Sequence, residues 1–297
     1  MKERIVVLGG GISGIGAAIL AKTKGFDVFV SDTGEITDDN RIVLLNNDID
    51  WEEGQHSIEN IVNADEIIKS PGIPNNSEII SRIKSTKIPI VSEIEFASNY
   101  SSSYKICITG SNGKTTSKEL IYSCLSTELN TLATDGNYNN HIGVPLTLLR
   151  ANKEHDIAII EMGANHENEI KYLCEIAKPN YGIITNIGKA HLEGFKNIES
   201  IAKAKAEIYT GLQSSGIAVI NADDTYADFW KNSCKKIKQV TFGIESESAD
   251  IRAKNIKLSA NKLFISFSII TNDDSIQISL PLIGHHNVMN ALAAAAC

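Results

Sequence analysis

The run Ile108-Thr109-Gly110-Ser111-Asn112-Gly113-Lys114-Thr115-Thr116 decides how this chain is read. A short apolar strand, Lys105 to Ile108, leads into it, and a helical pattern, Ser117 to Leu125, leads out. Glycines at such a junction let the backbone turn sharply and point its N–H groups at phosphate oxygens. The helix N-terminus adds the positive end of its dipole, Lys114 adds a point charge, and the Thr115 hydroxyl suits Mg²⁺. The pattern predicts a nucleoside triphosphate site made by Gly110, Ser111, Asn112, Gly113, Lys114, Thr115 and Thr116. Its first glycine stands three residues before Gly113, where the general phosphate-loop pattern puts it about five before. The loop is a shortened one.

Around this run the chain alternates strands and helices. Upstream, Ile5 to Leu8, Asp27 to Ser31, Asp65 to Lys69 and Ile88 to Val91 read as strands, with a helix from Gly14 to Lys24. That alternation predicts an α/β fold whose first part is a Rossmann-like, doubly wound parallel sheet. The polar stretch Ser98 to Ser103 reads as a boundary, giving expected domains at 1–103 and 104–297. Downstream, Cys107–Thr109, Ile157–Glu161, Gly182–Asn186 and Ile217–Asn221 read as strands of a second α/β sheet. Lys262–Ile269 and Ser275–Leu280 read as a small antiparallel hairpin turning at Asn272 to Asp274, and His286–Cys297 as a helix.

Bulk properties narrow the function classes. The 297 residues are 42% hydrophobic and 22% charged, an ordinary globular balance, and give a prior of two domains. A net charge of −8 supplies no basic field for nucleic acid or anionic lipid, so neither is expected as a partner. No apolar run approaches the roughly 20 residues that span a bilayer. Cys107, Cys124, Cys174, Cys234 and Cys297 are scattered without a C-x-x-C pair, as in reduced thiols, and a cytoplasmic location is expected.

Other segments carry candidate chemistry. Gly9 to Gly14 fits G-x-G-x-x-G between strand and helix, and Asp32 ends the next strand at the spacing of a ribose ligand. Any diphosphate-bearing nucleotide uses such a turn, and a purely structural turn is the plainer alternative. Ser70-Pro71-Gly72 follows the third strand, as a ligand edge or a simple proline turn. Glu161 ends a strand beside the phosphate loop, placed for Mg²⁺ or merely solvated. His191 follows another strand end, where a lone histidine is usually structural. Lys203 and Lys205 on their helix read as a solvated face. Asn287 and Asn290, one turn apart, either meet an adenine edge or cap and pack.

The order of these features resembles the Mur ligases, ATP-dependent enzymes that extend the peptide of peptidoglycan precursors. Shortened phosphate loop, strand-end Glu161, His191, the helix Lys205 to Tyr209 and the terminal His286-Asn287-x-x-Asn290 fall in the family's sequence order. The likeness divides in two. Leu8 to Gly14, Ser31-Asp32-Thr33, Lys69 to Pro74 and Ser92 to Phe96 resemble the D-glutamate-adding member. Gly136 to Pro145, Glu161 to Asn165 and Asn186 to Phe195 resemble the D-alanyl-D-alanine-adding member. A chimera fused near the phosphate loop, or a natural domain shuffle, is expected.

The resemblance implies roles. Ile12, Ser13, Asp32, Thr33, Ser70, Pro71 and Gly72 would surround the uridine diphosphate of a UDP-muramyl substrate, with Asn139, Asn140 and His141 on a loop near substrate. Lys114 would contact the β- and γ-phosphates of ATP, and Thr115 and Glu161 a first Mg²⁺. His191, with Lys205 as a carbamate, would hold a second, and Asn287 and Asn290 would meet adenine. The implied reaction is an ATP-dependent ligation through an acyl phosphate. The family's third, amino-acid-binding domain has no counterpart here, so a monomer that binds ligands without completing ligation is expected. The alternatives are an NAD-binding dehydrogenase or sensor, resting on Gly9 to Gly14 and Asp32, and a catalytically inert chimeric scaffold.

Overall fold

A computed structural model describes residues 2–100, 103–188, 195, 197–259, 263–272 and 274–297. The chain divides into two compact units, Met1–Tyr100 and Ser101–Cys297. The first runs β1 (Arg4–Leu8), α1 (Ile12–Thr23), β2 (Asp27–Ser31), α2 (Asp38–Asn46), β3 (Asp50–Glu52) and α3 (Ile58–Ile61). It continues through β4 (Glu66–Lys69), α4 (Glu78–Lys84), β5 (Ile90–Ser92) and α5 (Glu93–Ser98). Its sheet has the order β3-β2-β1-β4-β5, all parallel.

Successive side chains of β1 serve opposite faces, as a strand's period of two requires. Ile5 and Val7 join one core cluster, while Val6 and Leu8 join the other. Both faces are therefore covered, which is why β1 reads as an uninterrupted apolar run. The chain winds outward from β1 to β3, then returns to lay β4 on the other side. That reversal opens a crevice at the carboxyl ends of β1, β2 and β4, where doubly wound sheets bind ligands.

The second unit holds β6 (Tyr104–Thr109), α6 (Lys114–Leu125), β7 (Thr131–Ala133), α7 (Gly143–Leu149), β8 (Ile157–Glu161), α8 (Glu169–Ala177) and β9 (Tyr181–Ile184). After these come α9 (Ile198–Thr210), β10 (Ile217–Asn221), α10 (Ala227–Ser233), β11 (Lys238–Gly243), β12 (Ile251–Ser259), β13 (Phe264–Ile270), β14 (Ser275–Leu280) and α11 (His285–Ala295). They form one nine-stranded sheet, β14-β13-β12-β11-β10-β9-β6-β8-β7. The strands from β7 to β12 pair in parallel, and β13 and β14 extend the sheet antiparallel.

The antiparallel part is larger than the expected hairpin, because β12 pairs with β13 as well. It also continues the main sheet, joined where Phe242 and Gly243 meet Ile251 and Arg252. A register shift between Lys254 and Lys257, with Asn255 at φ +56°, breaks the alternation that would have marked β12 in the sequence. Residue 262, counted in the expected hairpin, and Asp273 of its turn lie outside the described residues. Strand β6, flanked by β9 and β8, has its residues from Lys105 to Thr109 buried, and it delivers the phosphate loop to the carboxyl edge of the sheet. There α11 packs on α6 with Val288 and Leu292 fully buried in the core.

Candidate functional site in each unit

The phosphate loop is held open by conformations that only glycine adopts without strain. Gly110 has φ +151° and Gly113 φ +79°, in the region disfavoured for other residues. Space forbids a side chain as well. A Cβ on Gly110 would lie 1.9 Å from Thr185 Oγ1, and one on Gly113 would lie 2.2 Å from Asn290 Oδ1. The segment after β9 latches the loop from its other side. Thr185 Oγ1 donates to the Asn112 carbonyl at 2.6 Å, and the Ser111 N–H donates to the Asn186 carbonyl at 2.9 Å. The Asn186 side chain accepts from the Asn112 N–H and donates to its carbonyl, both at 3.0 Å, and the Gly188 N–H donates to Ser111 Oγ at 2.8 Å. Lys114, first residue of α6, folds its ammonium back onto the Gly110 carbonyl at 2.9 Å.

Glu161, at the end of β8, is 2% exposed, so the solvated strand-end reading does not hold. Its Oε2 accepts the Thr115 hydroxyl at 2.8 Å, its Oε1 accepts the Asn139 amide at 2.8 Å, and its backbone N–H is held by Thr134 Oγ1 at 3.0 Å. A hydroxyl and a carboxylate side by side are hard oxygen donors. They fit Mg²⁺, which takes one or two protein ligands and completes its shell with water and phosphate oxygens. Among the described residues no cluster of three or more His, Cys, Asp or Glu side chains suits a metal. A nucleotide-borne Mg²⁺ needs none.

A cavity of about 540 Å³ opens beside this pair, lined by Lys114, Asn139, Asn140, His141, Glu169 and Lys205 among others. Lys205 is 3% exposed, and the solvated-face reading of the Lys203–Lys205 helix fails there. Positions two apart on a helix face nearly opposite ways. Lys203 reaches water and pairs with Glu199 at 3.0 Å, whereas Lys205 turns into the cavity and forms no ion pair among the described residues. Burial, and secondarily the charge of Lys114, pull the Lys205 ammonium down to about 8. Burial also lowers Lys114, against the opposing pull of Glu161. The cavity rim is braced by Glu207, which accepts the N–H groups of Asn168 and Lys171 at the start of α8.

On the other side of the latch lies a cavity of about 510 Å³, with Asn186, Ile187, Asp224, Tyr226, His285 and Met289 in its wall. Asp224 Oδ2 accepts the Ile187 N–H at 2.8 Å, tying this wall to the latch. Asn287 and Asn290 turn away from it into the helix packing. Asn287 donates to the Ile283 carbonyl at 2.9 Å, Asn290 donates to Asn287 Oδ1 at 3.2 Å, and Asn290 Oδ1 accepts from Ser117 at 3.4 Å. His191 lies outside the described residues.

In the first unit Ser13, Asp32, Thr33, Ser70, Pro71 and Gly72 gather at the carboxyl edge of the sheet, after β1, β2 and β4. Ile12 is 88% exposed at the start of α1. Asp32 works inside the turn: it accepts the Gly10 N–H at 2.6 Å and the Gly34 N–H at 2.7 Å. Lys69 pins the Ser70–Ile73 turn through two carbonyls. Beside Ser13 and Ser70 stands Glu93, 2% exposed, whose Oε1 has no hydrogen-bond partner among the described residues. A cavity of about 440 Å³ continues from this edge between Thr33, His56, Gly72, Ser77 and Arg82.

Sequence reasoning passed over His56, Glu93, Thr134, Asp224 and the latch formed by Thr185, Asn186 and Gly188. Of these, Glu93 lies in the Ser92–Phe96 run and Asn186 and Gly188 in the Asn186–Phe195 run already singled out, whereas His56, Thr134 and Asp224 carried no signal.

A shortened phosphate loop at the end of a buried interior strand, with a hydroxyl–carboxylate pair beneath it, defines a nucleoside-triphosphate-binding α/β protein. Comparisons narrow this. Residues 108–297 match the Mur ligase middle domain and residues 4–79 the MurD N-terminal domain. The chain belongs to the Mur ligase family. It is 46% identical over 190 residues to the UDP-N-acetylmuramoyl-tripeptide–D-alanyl-D-alanine ligase of Buchnera aphidicola, covering 64% of this chain and 41% of that protein. It is 39% identical over 304 aligned positions to the UDP-N-acetylmuramoylalanine–D-glutamate ligase of Bacteroides fragilis, covering 98% and 63%. The two-sided likeness expected from the sequence is thus present.

The fold is similar to MurF from Acinetobacter baumannii (TM-score 0.66, 32% identity, 80% of this chain and 52% of that one). It is also similar to MurF ligase from Thermotoga maritima in complex with ADP (TM-score 0.60, 26% identity, 80% and 54%). The chain therefore spans about two fifths to two thirds of the length of these relatives. Among the described residues no helix is long and apolar enough to cross a membrane, and the five cysteines are free.

Proposed function

We propose that this chain is the nucleotide- and UDP-muramyl-binding portion of an ATP-dependent UDP-N-acetylmuramoyl-peptide ligase of peptidoglycan biosynthesis, acting as a monomer in the cytoplasm. Residues 1–103 take the UDP end of the substrate and residues 104–297 take Mg-ATP. The observation that carries this reading is the Thr115–Glu161 contact at 2.8 Å beneath the Lys114 loop. The ADP complex of the Thermotoga maritima relative supports the nucleotide assignment.

ATP enters with its phosphates on the N–H groups of Gly110 to Thr116, and Lys114 exchanges the Gly110 carbonyl for the β- and γ-phosphates. Its base and ribose occupy the cavity walled by Asp224, Tyr226, His285 and Met289. Thr115 and Glu161 would hold one Mg²⁺; His191 and Lys205, the latter as a carbamate, would hold a second. Bound Mg²⁺ supplies positive charge at the transferring phosphoryl oxygens. The substrate carboxylate, drawn into the 540 Å³ cavity by the charge of Lys114, attacks the γ-phosphorus. The bond to the β-γ bridging oxygen breaks, leaving an acyl phosphate and ADP. An incoming amine then attacks the acyl carbon, phosphate departs and the amine proton is lost. No enzyme nucleophile is needed, so the protein's contribution is positioning and electrostatics.

The dehydrogenase alternative rests on Gly9 to Gly14 and Asp32 alone and leaves the phosphate loop and the Thr115–Glu161 pair without a role. Calorimetry with Mg²⁺ and a non-hydrolysable ATP analogue tests the nucleotide site. One site per chain, lost in Lys114→Ala, is expected; equal binding by the variant contradicts the reading.

A further inference from the structure

We propose that His56 selects uracil over cytosine, by presenting Nε2 as a hydrogen-bond acceptor to the base N3–H in the first unit's cavity. The proposal rests on the reading that this unit takes the UDP end of the substrate.

The argument starts from one hydroxyl. Ser31 Oγ, fully buried at the end of β2, lies 2.7 Å from Glu52 Oε1 and 2.7 Å from His56 Nδ1. A hydroxyl has a single proton to give. Burial alone would raise the Glu52 carboxyl, but hydrogen bonds from Ser57, Ser31 and Asn60 outweigh it and hold it below its ordinary value. Glu52 is then a carboxylate that only accepts, so the Ser31 proton points at it. Nδ1 of His56 must therefore carry the hydrogen and donate to Ser31. In the neutral ring this leaves Nε2 with a bare lone pair. Burial lowers the His56 pKa, against the charges of Asp32 and Glu52, and so favours that neutral ring.

His56 stands in the wall of the 440 Å³ cavity with Thr33, Gly72, Ser77, Glu78 and Arg82. Nε2 has no protein partner among the described residues. The cavity lies at the carboxyl edge where Ser70 and Gly72 follow β4, the place a doubly wound sheet gives to a nucleotide. Uracil offers N3–H as a donor, whereas cytosine offers a bare N3. A fixed acceptor pairs with the first and meets a second lone pair on the other. Sites built around one buried hydrogen bond reject the mismatched analogue strongly, because the group is left unpaired.

The test is calorimetry with UDP and CDP as probes, on the full chain. The wild type is expected to bind UDP at least ~10-fold more tightly than CDP. In His56→Ala that ratio is expected to fall to about threefold or less, with Mg-ATP-analogue binding in the second unit unchanged as the check on folding. Retention of the full preference by His56→Ala overturns the role of His56 and leaves the uridine site standing. A wild type that binds neither nucleotide overturns both. A readout that needs no variant is the nitrogen-15 spectrum of the His56 ring, where the Nδ1–H tautomer is expected. The Nε2–H tautomer would overturn the proposal.

Discussion

Thr185 and Asn112, 73 positions apart in the chain, are joined by a hydroxyl-to-carbonyl hydrogen bond of 2.6 Å that fixes the crown of the phosphate loop. The loop is thus shaped by β9 as much as by its own glycines. Thr185→Val keeps the volume and removes the donor, at a cost of about 1 kcal/mol. The expected result is a roughly fivefold weaker Mg-ATP-analogue affinity by calorimetry, with Thr185→Ser close to wild type. Unchanged affinity in the valine variant would show that the latch does not shape the site.

Gly113 stands at φ +79° with Asn290 pressed against it. Gly113→Ala is expected to destabilise the second unit by about 1–3 kcal/mol through backbone strain and the clash together. Adding Asn290→Ala removes the clash but not the strain, so it should recover only part of the loss in thermal melts. Full recovery would assign the whole cost to packing.

Glu93 is buried beside Ser13 and Ser70, and burial raises its carboxyl above the ordinary range. The folded state then holds the proton more tightly than the unfolded state. Glu93 is compatible with full stability below the unfolded carboxyl pKa, and its ionisation costs stability as pH rises through the folded value. Glu93→Gln is therefore expected to raise the melting temperature at pH 7.5, with the gain vanishing near pH 4. A gain that is the same at both pH values would contradict this.

Lys205, drawn down to about 8 inside its cavity, offers a neutral amine in useful amount near neutral pH. Carbamate formation requires that amine. With carbon-13 bicarbonate at pH 8, the wild type should show a carbamate carbon signal that Lys205→Arg lacks. A wild type without the signal would remove Lys205 from the second Mg²⁺ site.

The parts of the fold legible in the sequence are those whose signal is local. Ile157–Glu161 and Ile217–Asn221 are four-residue apolar runs closed by a polar residue and buried after their first position, and their bounds agree with β8 and β10. Strands β3, β7 and β11 left no such run: the first two have three residues each, and β11 begins Lys238-Gln239. The site divides in the same way. Glycine spacing and a strand-end acid announce Lys114, Thr115 and Glu161. The difference between Lys203 and Lys205 appears only once the face of α9 turned to the cavity is known. His56 sits in the polar stretch Glu53-Gly54-Gln55-His56-Ser57, where no period marks a ligand wall, and its meaning comes from Ser31 and Glu52, brought to it by the parallel pairing of β2 with β3.

Two ligands on two separate units is the arrangement on which the rest depends. Hydrogen exchange of the full chain with each ligand in turn tests it most directly. UDP alone is predicted to protect Gly9 to Gly14 and the Ser70–Gly72 turn, and the Mg-ATP analogue to protect Gly110 to Thr116 with the Thr185–Gly188 latch. Protection of the phosphate loop by the UDP ligand, or of Gly9 to Gly14 by the ATP analogue, would contradict it.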